Sequence, residues 1–105
     1  MRNLKEETLK HLNYSGKSIS DIRWIGNSVL EIPIDAFFEI ADRPYDDGYG
    51  GIEVCEDLMV VGDDWWLERH NYDGAEWWEF KTVPQRPQCK EEENILPCIF
   101  NEFDF

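Results

Sequence analysis

The residues best suited to chemistry lie in the stretch DDWWLERHNYDGAEWWEFK, from Asp63 to Lys81. If its Asp73-Gly74 pair forms a two-residue turn, Glu68 and Glu79 become cross-strand neighbours with His70 beside them. Two carboxylates can share general acid and base catalysis when one of them is desolvated in a cleft. Like charges on opposite strands instead indicate a face that water screens, and no serine or cysteine stands in an activating context near His70. The sequence therefore predicts no catalytic residue and no enzyme.

The candidate ligands for a divalent cation are four aspartates in glycine-bearing loops, Asp46, Asp47, Asp63 and Asp64. Calcium and magnesium bind through such carboxylate oxygens, and together with His70 they give an alternative hypothesis, a small metal-dependent hydrolase. Neither loop has the 12-residue spacing of an EF-hand. Solvated turn residues are therefore the favoured interpretation, and the sequence predicts neither a metal site nor a cofactor.

The three cysteines, Cys55, Cys89 and Cys98, are odd in number and lack CxxC spacing. No set of cysteines and histidines with the spacing of a zinc site accompanies them. Reduced thiols with a structural role are therefore predicted, and a Cys89–Cys98 disulfide stays an alternative.

The charge is strongly uneven along the chain. The protein has 23 acidic and 10 basic residues, a net charge of -13. Residues 31–80 hold fifteen of the acids and only two bases, Arg43 and Arg69, so this block alone carries -13. A direct nucleic-acid binder needs a basic footprint, which this composition excludes. Roughly 30 Å of duplex DNA presents about 18 negative charges, so the acidic block is of the order that a nucleic-acid mimic requires.

The 105 residues can bury one modest core, so residues 1–83 are predicted to form a single domain. Residues 84–105 form an acidic, aromatic tail that is expected to pack partly through Ile95, Leu96, Ile99 and Phe100, or else to remain a mobile peptide. No signal peptide and no apolar run long enough for a membrane span is visible, which predicts a cytoplasmic protein without membrane contact.

The fold class predicted is α+β, a small antiparallel sheet of about five strands with two short helices packed on one face. Residues Leu4, Thr8, Leu9 and Leu12 lie on one helical stripe that a cap at Gly16 would end. A hairpin is expected around Gly26-Asn27, a second helix over Asp35–Asp42 with Asp35 as its N-cap, and a buried strand at EDLMVV.

The Asp73-Gly74 turn fixes which side chains of the second hairpin share a face. Its core face is predicted to place Arg69 over the ring of Trp78, and its second face to place His70 against Trp77. The second face is expected to be partly wet, although the N-terminal helix or the tail could cover it. The predicted core residues are Phe38, Val60, Trp65, Leu67, Trp78 and Phe80.

Residues 45–81, with YDDGYGG followed by EDLMVVGDDWWLERHNYDGAEWWEFK, resemble a family of small acidic proteins of Firmicutes and their phages. Paired tryptophans on both sides of YDG make the motif specific, but it covers only about a third of the chain. The family brings no activity and no catalytic residues. The resemblance implies a shared fold and a mobile-element setting.

An acidic block combined with surface aromatics predicts a non-enzymatic protein-binding module, because interfaces are enriched in Trp and Tyr. The expected partner is a basic protein, such as a nuclease or a defence complex, whose nucleic-acid-binding surface the module occupies. A phage anti-defence inhibitor such as an anti-CRISPR protein is the first hypothesis, and an immunity protein or antitoxin is the alternative. The predicted partner-binding residues are Asp46, Asp47, Glu56, Asp57, Asp63, Asp64, Trp66, Glu68, Tyr72, Trp77 and Glu79.

Overall fold

The computed structural model describes residues 2–46, 50–90 and 92–101, and it confirms the α+β class. Seven strands and three helices occur in these ranges. The strands are β1 (Arg2–Asn3), β2 (Trp24–Gly26), β3 (Glu31–Ile32), β4 (Pro44–Tyr45), β5 (Met59–Val61), β6 (Trp65–Tyr72) and β7 (Ala75–Thr82). The helices are α1 (Leu4–Tyr14), α2 (Ile34–Ile40) and α3 (Leu96–Ile99), with a short 3₁₀ turn at Ile19–Asp21.

The main sheet has five antiparallel strands in the order β3-β2-β5-β6-β7, while β1 and β4 pair separately. The predicted two-residue turn between β6 and β7 is confirmed. Asp73 and Gly74 both adopt positive φ, 51° and 88°, which this tight hairpin requires. The register is also the predicted one, since Tyr72 pairs with Ala75 and each later pair follows outward. The hairpin expected around Gly26-Asn27 is also present, with β2 and β3 joined by a four-residue loop in which the Asn27 side-chain oxygen accepts two backbone N–H groups at 2.8 Å.

Helix α1 begins where the sequence pattern predicted it. The Asn3 side chain caps it by accepting the Glu6 N–H at 3.0 Å, and Gly16 at φ 71° follows its C-terminal end. Its buried side presents Thr8 and Leu12 to the sheet. The Thr8 hydroxyl accepts a hydrogen bond from the Trp78 indole at 2.9 Å, which fixes α1 on the core face.

Helix α2 starts earlier than predicted, and Asp35 is not its N-cap. Pro33 occupies the cap position, so Asp35 lies in the first turn. Proline already has the φ of a helix entry, and burial of Phe37 and Phe38 sets the helix register. The Asp35 carboxylate instead accepts the N–H of the next residue at 3.0 Å.

Helices α1 and α2 pack on the same face of the sheet, as predicted. Of the six predicted core residues, five are buried and Phe80 is only partly buried, because β7 is an edge strand. Phe80 stacks on Trp65 with ring centroids 5.7 Å apart. The buried hydrophobic cluster consists of Leu12, Ile22, Ile25, Phe37, Phe38, Ala41, Val60, Trp65, Leu67 and Trp78.

Two features of the outer parts of the chain differ from the sequence-based expectation. The three cysteines are free, as predicted, but all three are exposed, so they do not stabilise the core as structural thiols. Ile95, Leu96, Ile99 and Phe100 remain 47 to 67% exposed, so the described tail residues 92–101 show no packing of these side chains into the core. Across the described ranges, no helix is long and apolar enough to cross a bilayer.

A buried ion pair joins the two long strands to the rest of the domain. Arg69 Nη2 lies 3.1 Å from Glu76 Oε1, and the two side chains keep only 2% and 1% of their exposure. Glu76 also accepts the backbone N–H groups of Glu53 and Val54 at 2.8 and 3.0 Å. Removal of these groups from water costs several kcal/mol per ion unless each is paired and hydrogen-bonded. The pair therefore stabilises the fold only while its surrounding partners stay in place.

The same guanidinium reaches two further elements. Its Nη1 lies 3.3 Å from Glu7 of α1, and its Nη2 is 3.3 Å from the Tyr45 hydroxyl of β4. Tyr45 in turn donates a short hydrogen bond to Glu7. The predicted stacking of Arg69 on Trp78 is confirmed, with 4.8 Å between the guanidinium carbon and the ring centroid. One side chain thus holds α1, β4 and the hairpin together.

Replacement of Arg69 by Met should strongly destabilise the protein, because it leaves the Glu76 carboxylate buried without its cation. The expected loss in the free energy of unfolding is about 3 to 5 kcal/mol. Chemical denaturation measures it, with the exposed Arg86→Met as the control, which should change stability by less than about 0.5 kcal/mol. Equal stability of the two variants would show that the network does not support the fold.

Candidate protein-binding face

The side of the sheet opposite the helices carries five of the predicted partner-binding residues. Along β6 and β7, side chains alternate between the buried core face and this second face, whose members are half-buried or exposed. The strand pairing extends the second face across β5 and β2. We call this surface the outer face, and its residues are Trp24, Met59, Val61, Trp66, Glu68, His70, Tyr72, Ala75, Trp77, Glu79 and Lys81.

Aromatic and apolar side chains form a row across four strands of the outer face. Trp24 pairs with Val61, Val61 with Trp66, and Trp66 with Lys81. All four side chains are half-buried, and none belongs to the buried core cluster. The row gives the outer face a continuous apolar strip with a cation at its β7 end.

Next to this row lie two carboxylates that are held in fixed positions. Glu68 and Glu79 are directly opposite each other, as predicted. The Trp66 indole donates to Glu68 at 2.6 Å, and the Trp77 indole donates to Glu79 at 3.1 Å. These bonds are the main reason why the pKa of each carboxyl is lowered from its ordinary value. Each tryptophan on the outer face therefore orients one negative charge.

His70 lies between the two carboxylates and contacts both of them. Its Nε2 is 2.6 Å from Glu68 Oε2, and its Nδ1 is 3.5 Å from Glu79 Oε2. Lys81 Nζ, 3.2 Å from Glu79 Oε1, places a cation beside this carboxylate. The sequence indicates only that water screens Glu68 from Glu79, and it does not reveal these contacts. His70 does pair across the strands with Trp77, as expected.

The arrangement offers a recognition surface more readily than a reaction site. The His70 side chain is 37% exposed, and those of Glu68 and Glu79 are 32% and 34% exposed. Clefts of about 900, 420 and 480 Å³ occur elsewhere on the surface, and none of these three is lined by the Glu68–His70–Glu79 cluster. General acid and base groups work best when a cleft desolvates one of them, which is not the situation on this open sheet.

The remaining predicted site residues lie apart from the outer face. Asp63 and Asp64 occupy the β5–β6 turn, where Asp63 accepts two hydrogen bonds from Arg23 at 2.7 and 3.0 Å. Glu56 and Asp57 lie before β5, and Glu56 accepts the Asn71 amide at 3.3 Å near the hairpin tip. Asp46 follows β4, whose Tyr45 contacts Arg69 from the core side. Asp47 lies outside the described residues.

The three loop aspartates within the described residues, Asp46, Asp63 and Asp64, do not form a common ligand set. Over the described ranges, no group of three or more His, Cys, Asp or Glu residues is placed to hold a metal ion. Asp63 is instead paired with Arg23, a contact between residues 40 positions apart that local sequence patterns do not indicate. That ion pair lowers the pKa of the Asp63 carboxyl.

Three members of the outer face were missed from the sequence, namely Trp24, Met59 and Val61. The strands that carry them are only three residues long, so they show too little alternation to assign a face. One signal in the sequence was the neighbouring pair Trp24 and Ile25. Adjacent strand residues face opposite sides of a sheet, so a buried Ile25 places Trp24 on the second face. Only the pairing of β2 with β5 and of β5 with β6 reveals the shared surface.

Replacement of Trp66 by Phe should raise the pKa of Glu68 towards its ordinary value of 4.5, since the indole N–H is lost. The pKa of Glu79 should stay low, and Trp77→Phe should give the reverse pattern. Carbon-detected NMR titration of the two carboxyl groups measures both. The folded state lowers the pKa of each carboxyl, so these carboxylates stabilise the fold at pH values above their unfolded pKa. This stabilisation is lost as the pH falls through the folded pKa. Unchanged titration curves would contradict the assigned hydrogen bonds.

Comparisons of the chain with protein-family models, with curated proteins and with solved structures found no match. The resemblance over residues 45–81 to small acidic proteins of Firmicutes and their phages therefore stays a prediction.

Proposed function

We propose that the protein is a non-enzymatic binding module that acts in the cytoplasm and occupies a basic, nucleic-acid-binding surface of a partner protein. The observation that carries this proposal is the outer face, where Trp66 and Trp77 are half-exposed and each orients a carboxylate. A nuclease or a defence complex is the class of partner that offers such a basic surface. The mobile-element setting implied by the resemblance fits an anti-defence inhibitor of the anti-CRISPR type.

The aromatic part of the outer face supports binding to protein. Tryptophan and tyrosine dominate interface hot spots because they offer a large rigid area at a small entropic cost. Tyr72 at the end of β6 is 78% exposed, and Trp24, Trp66 and Trp77 are half-buried on the same face. A partner that covers these rings removes apolar area from water, which supplies affinity independent of charge.

The acidic part supports a basic partner. Carboxylates held by indole N–H groups lose little freedom when a guanidinium or an ammonium group binds them, so their attraction for a cation is less offset by ordering. Arg side chains of a partner can make two kinds of contact with this surface, because they pair with carboxylates and stack on aromatic rings. An immunity protein or antitoxin that neutralises a basic toxin would use the same contacts and differs only in the partner.

Binding to purified nucleic-acid-cleaving enzymes tests the proposal, with affinity measured by calorimetry in rising salt. The variant Glu68→Gln/Glu79→Gln removes two charges from the outer face and should weaken binding by about two- to thirtyfold, since each exposed charge pair is worth about 0.2 to 1 kcal/mol. The control Asp35→Asn/Glu39→Gln makes the same charge change on α2, which packs on the opposite face, and should bind like the unmodified protein.

The two variants separate local recognition from general charge. Equal loss of affinity in both would mean that only net charge matters and that the outer face is not the binding surface. Affinity that does not fall with salt would contradict recognition of a basic surface, because exposed ion pairs are screened.

A further inference from the structure

The last strand of the main sheet has an open edge. β7 spans Ala75–Thr82 and pairs with β6 on one side only. A long edge strand presents a row of backbone N–H and C=O groups to which another strand can add. This edge borders the outer face and shares Glu79 and Lys81 with it.

The hydrogen-bond pattern identifies the backbone groups that point outward. Val83 N–H donates to the Asp64 carbonyl at 2.8 Å, so residues 64 and 83 form a hydrogen-bonded pair. In an antiparallel ladder such pairs alternate, so Glu79 and Lys81 direct their backbone groups towards β6. Trp78, Phe80 and Thr82 therefore direct theirs away from it.

The described contacts leave the second half of this edge open. Arg2 Nη1 reaches the Glu76 carbonyl at 3.4 Å, which covers the start of the strand. Helix α1 contacts the Trp78 indole through the Thr8 hydroxyl, and this contact lies on the core face. Within the described ranges, no turn, loop or cap hydrogen bond reaches the backbone of Trp78, Phe80 or Thr82.

We propose that this edge pairs with the same edge of a second copy of the chain, antiparallel and centred on Phe80. In this register Glu79 of each copy lies directly opposite Lys81 of the other, which forms two ion pairs across the interface. Trp78 lies opposite Thr82, and the two Phe80 residues face each other at the twofold axis. The outward groups of Trp78, Phe80 and Thr82 then form about six backbone hydrogen bonds.

Like charges exclude two of the neighbouring registers, and unavailable backbone groups exclude two others. A pairing centred on Glu79 places the two Glu79 side chains opposite each other, and one centred on Lys81 does the same with two lysines. A pairing centred on Thr82 places Pro84, which has no N–H, opposite Phe80. A pairing centred on Trp78 requires the Glu76 carbonyl that Arg2 already contacts. The Phe80-centred register alone matches opposite charges and uses only open backbone groups.

Apolar contact supports the same register. Phe80 is half-buried and stacks on Trp65, so one side of its ring remains available at the sheet edge. Pairing of the two Phe80 rings would extend the hydrophobic core of one copy into that of the other. The opposing contribution is the repulsion between two chains of net charge -13, which predicts a weak dimer that moderate salt favours.

Sedimentation velocity on the full chain in about 0.15 M salt, where charges beyond roughly 8 Å are screened, tests the dimer. With rising concentration, the mass should move from 12.5 kDa towards twice that value. Thr82→Pro removes an outward N–H on each strand and should raise the dissociation constant at least about tenfold, while Thr82→Ala, which keeps the N–H, should not. A mass that stays at 12.5 kDa up to millimolar concentration would overturn the proposal.

Charge exchange tests the register. Glu79→Lys alone and Lys81→Glu alone place like charges opposite each other, so each should dimerise less than the unmodified chain. Labelled Lys81→Glu protein should sediment as a dimer when unlabelled Glu79→Lys protein is added, since opposite charges then face each other at both sites. The control Glu39→Lys, on α2, should dimerise like the unmodified chain. Absence of recovery on mixing would overturn the Phe80-centred register.

These outcomes are independent of the partner-binding proposal. The experiment contains only this chain, and Thr82 is not part of the outer face. If the protein dimerises but binds no basic partner, the dimer is supported and the proposed function is wrong. If it binds a basic partner but stays monomeric, the proposed function is supported and the dimer is wrong.

Discussion

The fold depends on the buried contact between Arg69 and Glu76. Both groups are almost fully removed from water, and such a pair is costly unless most of its donors and acceptors find partners. Those partners come from α1, from β4 and from the backbone at Glu53 and Val54. The ion pair therefore constrains where these elements lie, beyond what apolar packing alone would specify. Arg69 Nε has no hydrogen-bond acceptor in the described ranges, so the network is not completely satisfied.

This constraint also determines how the two faces of the hairpin differ. Arg69, Glu76 and Trp78 use the core face, where α1 contributes Glu7 and Thr8 to their contacts. Helix α2 packs into the same core through Phe37 and Phe38, and the tryptophans of the outer face remain half-exposed. On the outer face the carboxylates of Glu68 and Glu79 accept hydrogen bonds from indole N–H groups, and Lys81 lies beside Glu79. One hairpin therefore carries a structural ion pair on one side and an accessible aromatic and acidic surface on the other.

The sequence was most informative where local chemistry decides the structure. Asp73-Gly74 selects a two-residue turn, and that turn sets the register of all eight pairs between β6 and β7. This register predicts the contact of Arg69 with Trp78. It does not predict the contact of Arg69 with Glu7, 62 positions away, because contacts between distant segments leave no periodic signal in the sequence. The sequence-based prediction also misplaced the start of α2, where packing of Phe37 and Phe38 outweighs the capping preference of Asp35. The outer face was found only in part, since β2 and β5 are too short to show alternation.

Charge counted along the chain is not the charge that a partner meets. The acidic block of residues 31–80 folds against bases from the N-terminal segment, so Arg23 pairs with Asp63 and Lys5 lies 4.0 Å from Asp42. Glu76 is buried with Arg69, which removes another charge from the surface. Fewer carboxylates therefore remain unpaired at the surface than the sequence suggests. The recognition that we propose for the outer face combines oriented carboxylates with aromatic area, because Trp66 and Trp77 lie on the same face as the carboxylates that they hold.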